Sequence, residues 1–148
     1  LNILLNWRYY LAMVQCFTIE KLKQKTGHVW LTRDYTAERE RIKRFVEVVG
    51  GDTPLWQEEV PPSWLLAISL EQVCEQLAAL PQAALHGSCA IELFAPVKVG
   101  DIVTVVVKVS SVRERQQATF VILEIEQHNQ SGVMLARCKQ VIVLRSKT

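Results

Sequence analysis

The chain contains no C-x-x-C pair, and no spacing among Cys16, Cys74, Cys89 and Cys138 suits a zinc site. This predicts neither a metal centre nor a disulfide framework, but four reduced, mostly buried thiols in a reducing cytoplasm. There is no basic run and no interleaving of aromatic residues with Arg and Lys. The 17 basic and 15 acidic side chains are scattered and leave a net charge of +2, so no nucleic-acid groove is expected. The first dozen residues are apolar but short, and they are broken by Asn6 and Arg8, so they cannot cross a bilayer. They also lack the basic lead and A-x-A-like site of a signal peptide, so no membrane partner is expected either. Histidine is scarce: only His28, His86 and His128 are present.

What is present suits one folded unit. The 148 residues are 49% hydrophobic and 22% charged, enough for a single domain with a real core. There is no repeat, low-complexity tract or linker. Residues 1–14 read as an extension of unknown role, with Met13 an alternative start, and residues 15–148 as the domain.

The local pattern changes once along the chain. Phe17 to Leu22 is a short lead-in, and Val29-Trp30-Leu31-Thr32 suits a brief strand. Arg33 to Gly50 reads as a helix, with Thr36 as N-cap and Glu38 and Glu40 where the helix dipole favours acids. Ile42, Phe45, Val46 and Val49 form its apolar face, and Gly50-Gly51 ends it. A turn-rich loop, Asp52 to Pro62, leads to a second helix over Ser63 to Leu80, ended by Pro81. The first half of that helix has almost no polar face, which means burial by neighbours on most sides.

Beyond Leu85 the period falls to two. Ser88–Phe94, Ile102–Ser110, Ala118–Glu126 and Val133–Leu144 read as β-branched strands separated by turn residues, which predicts an antiparallel meander. One small sheet cannot cover an apolar helix on all sides. A curved sheet wrapped round the helix, with a second copy or another chain closing the remainder, satisfies both elements. The fold class expected is therefore α+β, a long central helix wrapped by a curved antiparallel sheet.

Five segments resemble one family in order. Tyr35 to Phe45 is similar to its opening helix, and Gly50-Gly51-Asp52-Thr53-Pro54-Leu55-Trp56 to its G-D-x-N-P-L-H loop. Val60-Pro61-Pro62-Ser63-Trp64 is similar to an A-P-P-T-F helix entry, and Leu85-His86-Gly87 to an L-H-G strand start. Phe94 to Asp101 is similar to an F-x-x-P-[VL]-x-x-G-D corner. The chain thus resembles the MaoC-like hot-dog hydratases and dehydratases, and within them the N-terminal, fatty-acid-synthase-type half of two-hot-dog dehydratases. The resemblance covers about residues 17–145.

The resemblance implies a single hot-dog fold and a role in fatty-acid metabolism, with an acyl-CoA or acyl-carrier-protein thioester as the ligand. It implies addition or removal of water across the bond α,β to the carbonyl, with no cofactor. In such a reaction an Asp and a His of the loop handle the water and its proton. A backbone N–H at the central helix polarises the carbonyl. The chain departs from that pattern. Aligned on Pro54-Leu55, Trp56 takes the His position and Gly51 the Asp position; aligned on Gly51-Asp52, the acid is kept and Trp56 still replaces the histidine. Tryptophan has one N–H donor and no basic nitrogen. Pro62 has no N–H, which leaves the amide of Ser63 or Trp64 as donor.

Asp52 is therefore the one candidate catalytic residue, and Trp56, Ser63, Trp64, His86 and Gly87 are the candidate substrate-binding residues. Three readings follow. The chain is a non-catalytic hot-dog subunit or acyl-binding half, paired as a homodimer or with a catalytic MaoC-like chain. Alternatively it is an active (R)-specific enoyl-CoA hydratase or dehydratase, a hydro-lyase using Asp52. The third reading is an acyl-CoA-binding regulatory or thioesterase-like hot-dog protein.

Overall fold

A computed structural model describes residues 18–51, 54–78, 80 and 82–145. Cys16, Asp52, Thr53, Pro81 and the extension at residues 1–14 lie outside the described residues. Among the described residues three α-helices, α1 (Ile19–Gln24), α2 (Arg39–Val49) and α3 (Pro62–Leu77), accompany five strands, with a 3₁₀ turn at Pro54–Gln57. The strands are β1 (Val29–Thr36), β2 (Ala83–Leu93), β3 (Ile102–Arg115), β4 (Ala118–Asn129) and β5 (Met134–Arg145). They form one antiparallel sheet in the order β1-β3-β4-β5-β2. This is the hot-dog arrangement, with α3 lying against one face of the sheet.

The core follows from alternation. Val103, Val105, Val107 and Val109 of β3, Val121, Leu123 and Ile125 of β4, and Cys138, Ile142 and Leu144 of β5 all point to the helix side. Trp64, Leu65, Ile68 and Val73 of α3 meet them, and all are fully buried. One polar link crosses this interface. Gln127 Nε2 donates to Leu65 O at 2.7 Å and to Ser69 Oγ at 2.8 Å, pinning α3 to β4. Leu66, Ala67 and Leu70 face away from the sheet and remain half-buried, as the incomplete cover of α3 requires.

Several expectations need correction. The first long helix begins at Arg39, not Arg33, because Arg33–Thr36 continues β1 and pairs with Ile102–Val105. Thr36 is therefore not its N-cap; Glu38 holds that position without a side-chain cap bond. Its C-cap is Gly50 at φ 79, as expected, whereas Val49 of the expected apolar face is 53% exposed. The central helix ends at Leu77 rather than Leu80.

The four late strands are not a simple meander. β3, β4 and β5 are, but β2 pairs with β5 at the far edge. The segment between β2 and β3 is too long for a tight hairpin. It is held instead by Val60 N to Val97 O and Val99 N to Glu58 O, both 2.9 Å. β2 starts earlier than Ser88 because a bulge at His86/Ser88 absorbs Gly87. β3 runs through Arg113–Arg115, and the turn comes at Gln116-Gln117, with Gln116 at φ 54. Of the described cysteines only Cys138 is buried; Cys89 is half-buried and Cys74 exposed.

The sheet has two edges. On β2 and the corner after it, Leu85 is 51% exposed, Ile91 37%, Leu93 51% and Phe94 52%. Long apolar edges of this kind invite pairing with another chain. No helix among the described residues is long and apolar enough to cross a membrane.

Candidate functional site

The loop between α2 and α3 is the natural place to build the site. Gly50 turns the chain out of α2 in the left-handed conformation, which glycine adopts at little cost. Pro54–Gln57 then forms the 3₁₀ turn that carries Trp56. The turn is tied down on both sides. Arg39 Nη1 donates to Gln57 O at 2.7 Å, and Arg39 Nη2 stands 3.8 Å from Glu58 Oε1. Beyond it, the backbone of Glu59 forms an isolated antiparallel β-bridge with Lys98, which joins the loop to the Phe94–Asp101 corner. In that corner Gly100 sits at φ 98, and Asp101 Oδ2 accepts from Lys98 N at 2.9 Å. The Gly-Asp pair of the corner is thus a turn device rather than a reacting pair.

Trp56 is partly buried and packs on the core. It borders two clefts. One of about 430 Å³ is also lined by Arg39, Lys43, Val46, Gly51 and Val99. Another of about 310 Å³ is also lined by Val60, Leu65, Leu93, Phe94 and Val97. Trp56 is the lining residue the two share. No histidine lines either cleft.

The remaining candidate residues are dispersed. Asp52 lies outside the described residues. Ser63 is exposed in the first turn of α3, and its amide has no hydrogen-bond partner among the described residues. Such first-turn amides are free to meet a carbonyl oxygen. Trp64 differs: its amide donates to Pro61 O at 2.9 Å, and its side chain is 2% exposed in the core, lining neither cleft. His86 and Gly87 lie near the start of β2, and His86 borders a third cleft with Leu70, Cys74 and Leu77. From His86 to Leu93, at the Trp56 end, is about 23 Å along an extended strand of ~3.3 Å per residue. Gly87 is there for packing, since a Cβ would stand 3.1 Å from Val141 O. Within one chain, Trp56 shares a cleft with Pro62 at the start of α3, Ser63 lines neither Trp56 cleft, and His86 borders a different one.

Sequence reasoning missed the walls of the apolar cleft. Leu93, Phe94 and Val97 come from a segment some forty residues after Trp56, and the register of β2 on β5 together with the Val60–Val97 and Glu58–Val99 backbone bonds brings them to the start of α3. Ionisation is displaced elsewhere. Cys138 is pushed up to about 11, first by burial and then by neighbouring Cys89. Arg33, at 2.7 Å, holds the Glu75 carboxyl below its usual range, and burial raises Tyr35.

The model of the FAS1-like dehydratase domain region matches residues 24–138. The chain belongs to this family. The match contains α2, the Trp56 turn, α3 and most of the sheet. No curated protein matches the chain in sequence. Solved structures share the fold. The Mycobacterium tuberculosis HadBC complex, a 3R-hydroxyacyl-ACP dehydratase, superposes at TM-score 0.65 and 15% identity, covering 78% of this chain and 92% of that one. The (R)-hydratase of A. caviae, involved in PHA biosynthesis, gives 0.63 and 17%, covering 76% and 91%. A MaoC-like dehydratase of Rhodospirillum rubrum gives 0.64 and 17%, covering 89% and 99%.

Proposed function

We propose that this FAS1-like dehydratase-region chain is a non-catalytic hot-dog subunit of an (R)-3-hydroxyacyl-thioester dehydratase or enoyl-thioester hydratase. It supplies a wall of the acyl site, and a partner chain supplies the acid–base pair. The observation that carries this reading is Trp56. By the motif resemblance it takes the position of the family's histidine; it packs on the core, and no histidine lines the clefts beside it. Hydration needs a group that takes and returns a proton near neutral pH, and an indole does neither.

In this reading Trp56 forms the wall and the free Ser63 amide faces the thioester carbonyl. The β2 edge, with Leu85, Ile91 and Leu93 exposed, is where the second hot-dog chain pairs, bringing its own loop close. His86 and Gly87 then belong to the subunit edge. Two of the fold's relatives were solved as complexes, HadBC and ChsH1-ChsH2, both of Mycobacterium tuberculosis. That supports pairing here, with a MaoC-like chain as the candidate partner.

The test is reconstitution. The purified chain alone should not hydrate trans-2-enoyl-CoA, and it should form a stable dimer or a heteromer with a catalytic MaoC-like chain. A monomer at high concentration overturns the pairing. Turnover by the chain alone that disappears in Asp52→Ala overturns the non-catalytic assignment in favour of an active hydro-lyase.

A further inference from the structure

We infer that the outer face of the sheet, beside the β3–β4 hairpin, is a binding site for a carboxylate or phosphate borne on an apolar chain. Arg113 and Arg115 take the anion, and Phe120, Ile122 and Val141 take the chain. The site lies across the sheet from α3 and is independent of the function proposed for the Trp56 face.

The register of the strands builds the cluster. Residues directly opposite on neighbouring strands share a face. Thr119, Val121 and Leu144 are buried on the α3 side, so Phe120 and Val143 point outward. Arg113 stands opposite Phe120, and Arg115 and Arg145 both stand opposite Ala118. Three arginines therefore share the outward face at one end of the sheet. Arg113 and Arg115 are about 7 Å apart along β3, and Arg145 is two strands away, about 10 Å from Arg115. All three are exposed, and among the described residues none has an ion-pair partner.

The rest of this face is neutralised across strands. Glu124 stands between Lys108 and Lys139, and Glu126 lies opposite Arg137, its Oε1 3.5 Å from Arg137 Nη2. At the hairpin end the cross-strand neighbours of the arginines are Phe120, Ala118 and Ala83 instead. Unpaired like charges within a Debye length of ~8–10 Å repel one another, and a bound anion relieves that repulsion.

A cleft of about 370 Å³ lies at this cluster, lined by Arg113, Glu114, Arg115, Phe120, Ile122 and Val141. The acid on its lining, Glu114, is already taken: Lys23 Nζ donates to its Oε1 at 2.8 Å. Phe120, Ile122 and Val141 are half-buried, which leaves apolar surface directly beside the two guanidinium groups. A guanidinium presents paired N–H donors that match a carboxylate or phosphate. A ligand with both an anionic head and an apolar body satisfies the two halves of the cleft together, and a neutral chain or a bare anion satisfies only one.

The test is a titration read from the NMR amide shifts of Phe120, Ile122 and Val141, with octanoate, octyl phosphate, octan-1-ol and acetate as probes. Octanoate or octyl phosphate should saturate at about ten-fold lower concentration than octan-1-ol or acetate, and the tighter of the two names the anion. The double variant Arg113→Gln, Arg115→Gln should lose that ten-fold advantage, and Arg137→Gln, which removes a paired cation of the same face, should keep it. Octan-1-ol binding as tightly as both anions overturns the proposal, and so does an equal loss in Arg137→Gln, which would mark a general effect of net charge. The comparison of probes in the wild type decides the matter even if the double variant does not fold. Sedimentation with phosphatidylglycerol vesicles, lost in the double variant and without saturation by either monomeric anion, also overturns a small-ligand site, in favour of a lipid surface.

Discussion

A methyl group added to Gly51 would stand 3.7 Å from the indole nitrogen of Trp56 and 3.2 Å from a Val46 methyl. The second distance is tight, so the neighbour must yield. Gly51→Ala should cost about 1 kcal/mol in urea unfolding, the low end for overpacking a filled site. An acid at this position is worse, since its carboxylate is wedged between Val46 and the ring. Gly51→Asp combined with Trp56→His should recover part of that loss, with a coupling energy of about 0.5–1 kcal/mol. Strict additivity would show that the two positions are not linked through space.

Gly87 is a second position where the backbone leaves no room. A Cβ would meet Val141 O at 3.1 Å and a Val143 methyl at 3.3 Å. Backbone on β5 cannot yield as a side chain can, so Gly87→Ala should cost about 1–3 kcal/mol. The loss should be local, and amide exchange across Ser88–Leu93 should quicken before that of β3 and β4. Uniform quickening would contradict a role confined to the β2–β5 contact.

Two buried glutamines should respond in opposite directions. Gln127 holds Leu65 O and Ser69 Oγ, so Gln127→Leu should destabilise by about 1–3 kcal/mol. Gln140 is fully buried on the same face of the sheet, and neither of its amide atoms has a partner among the described residues. Gln140→Met should stabilise by about 1 kcal/mol, because it removes the desolvated amide at nearly constant volume. Denaturant midpoints of the two variants decide this.

Cys138 predicts an alkaline limit. Its thiol is raised from 9.0 to about 11 in the folded chain, chiefly by burial. A group raised on folding stabilises fully below its unfolded value and loses that contribution as pH rises toward its folded value. Between about pH 8 and pH 10.5, wild type should lose of order 2 kcal/mol more than Cys138→Val. Identical pH profiles would show that the thiol is not protected.

Legibility in the sequence varied with the range of the determining contact. The start of α3 was readable because Pro61-Pro62 is a local signal, and Gly50 marked the end of α2 for the same reason. Arg33–Thr36 reads locally as helix because its partner, β3, lies some seventy residues away and leaves no local signal. The early part of β2 was hidden by the bulge at Gly87, which breaks the two-residue period. Trp56 was legible as a departure within a motif. That it lines two clefts was not, because the other walls come from α2, the start of α3 and the end of β2.

Steady-state hydration of trans-2-enoyl-CoA by the purified chain, with Asp52→Ala as control, tests the central claim most directly. The account predicts no turnover above buffer for either protein, and turnover once a catalytic MaoC-like chain is bound. Turnover by wild type alone, abolished in Asp52→Ala, would contradict it.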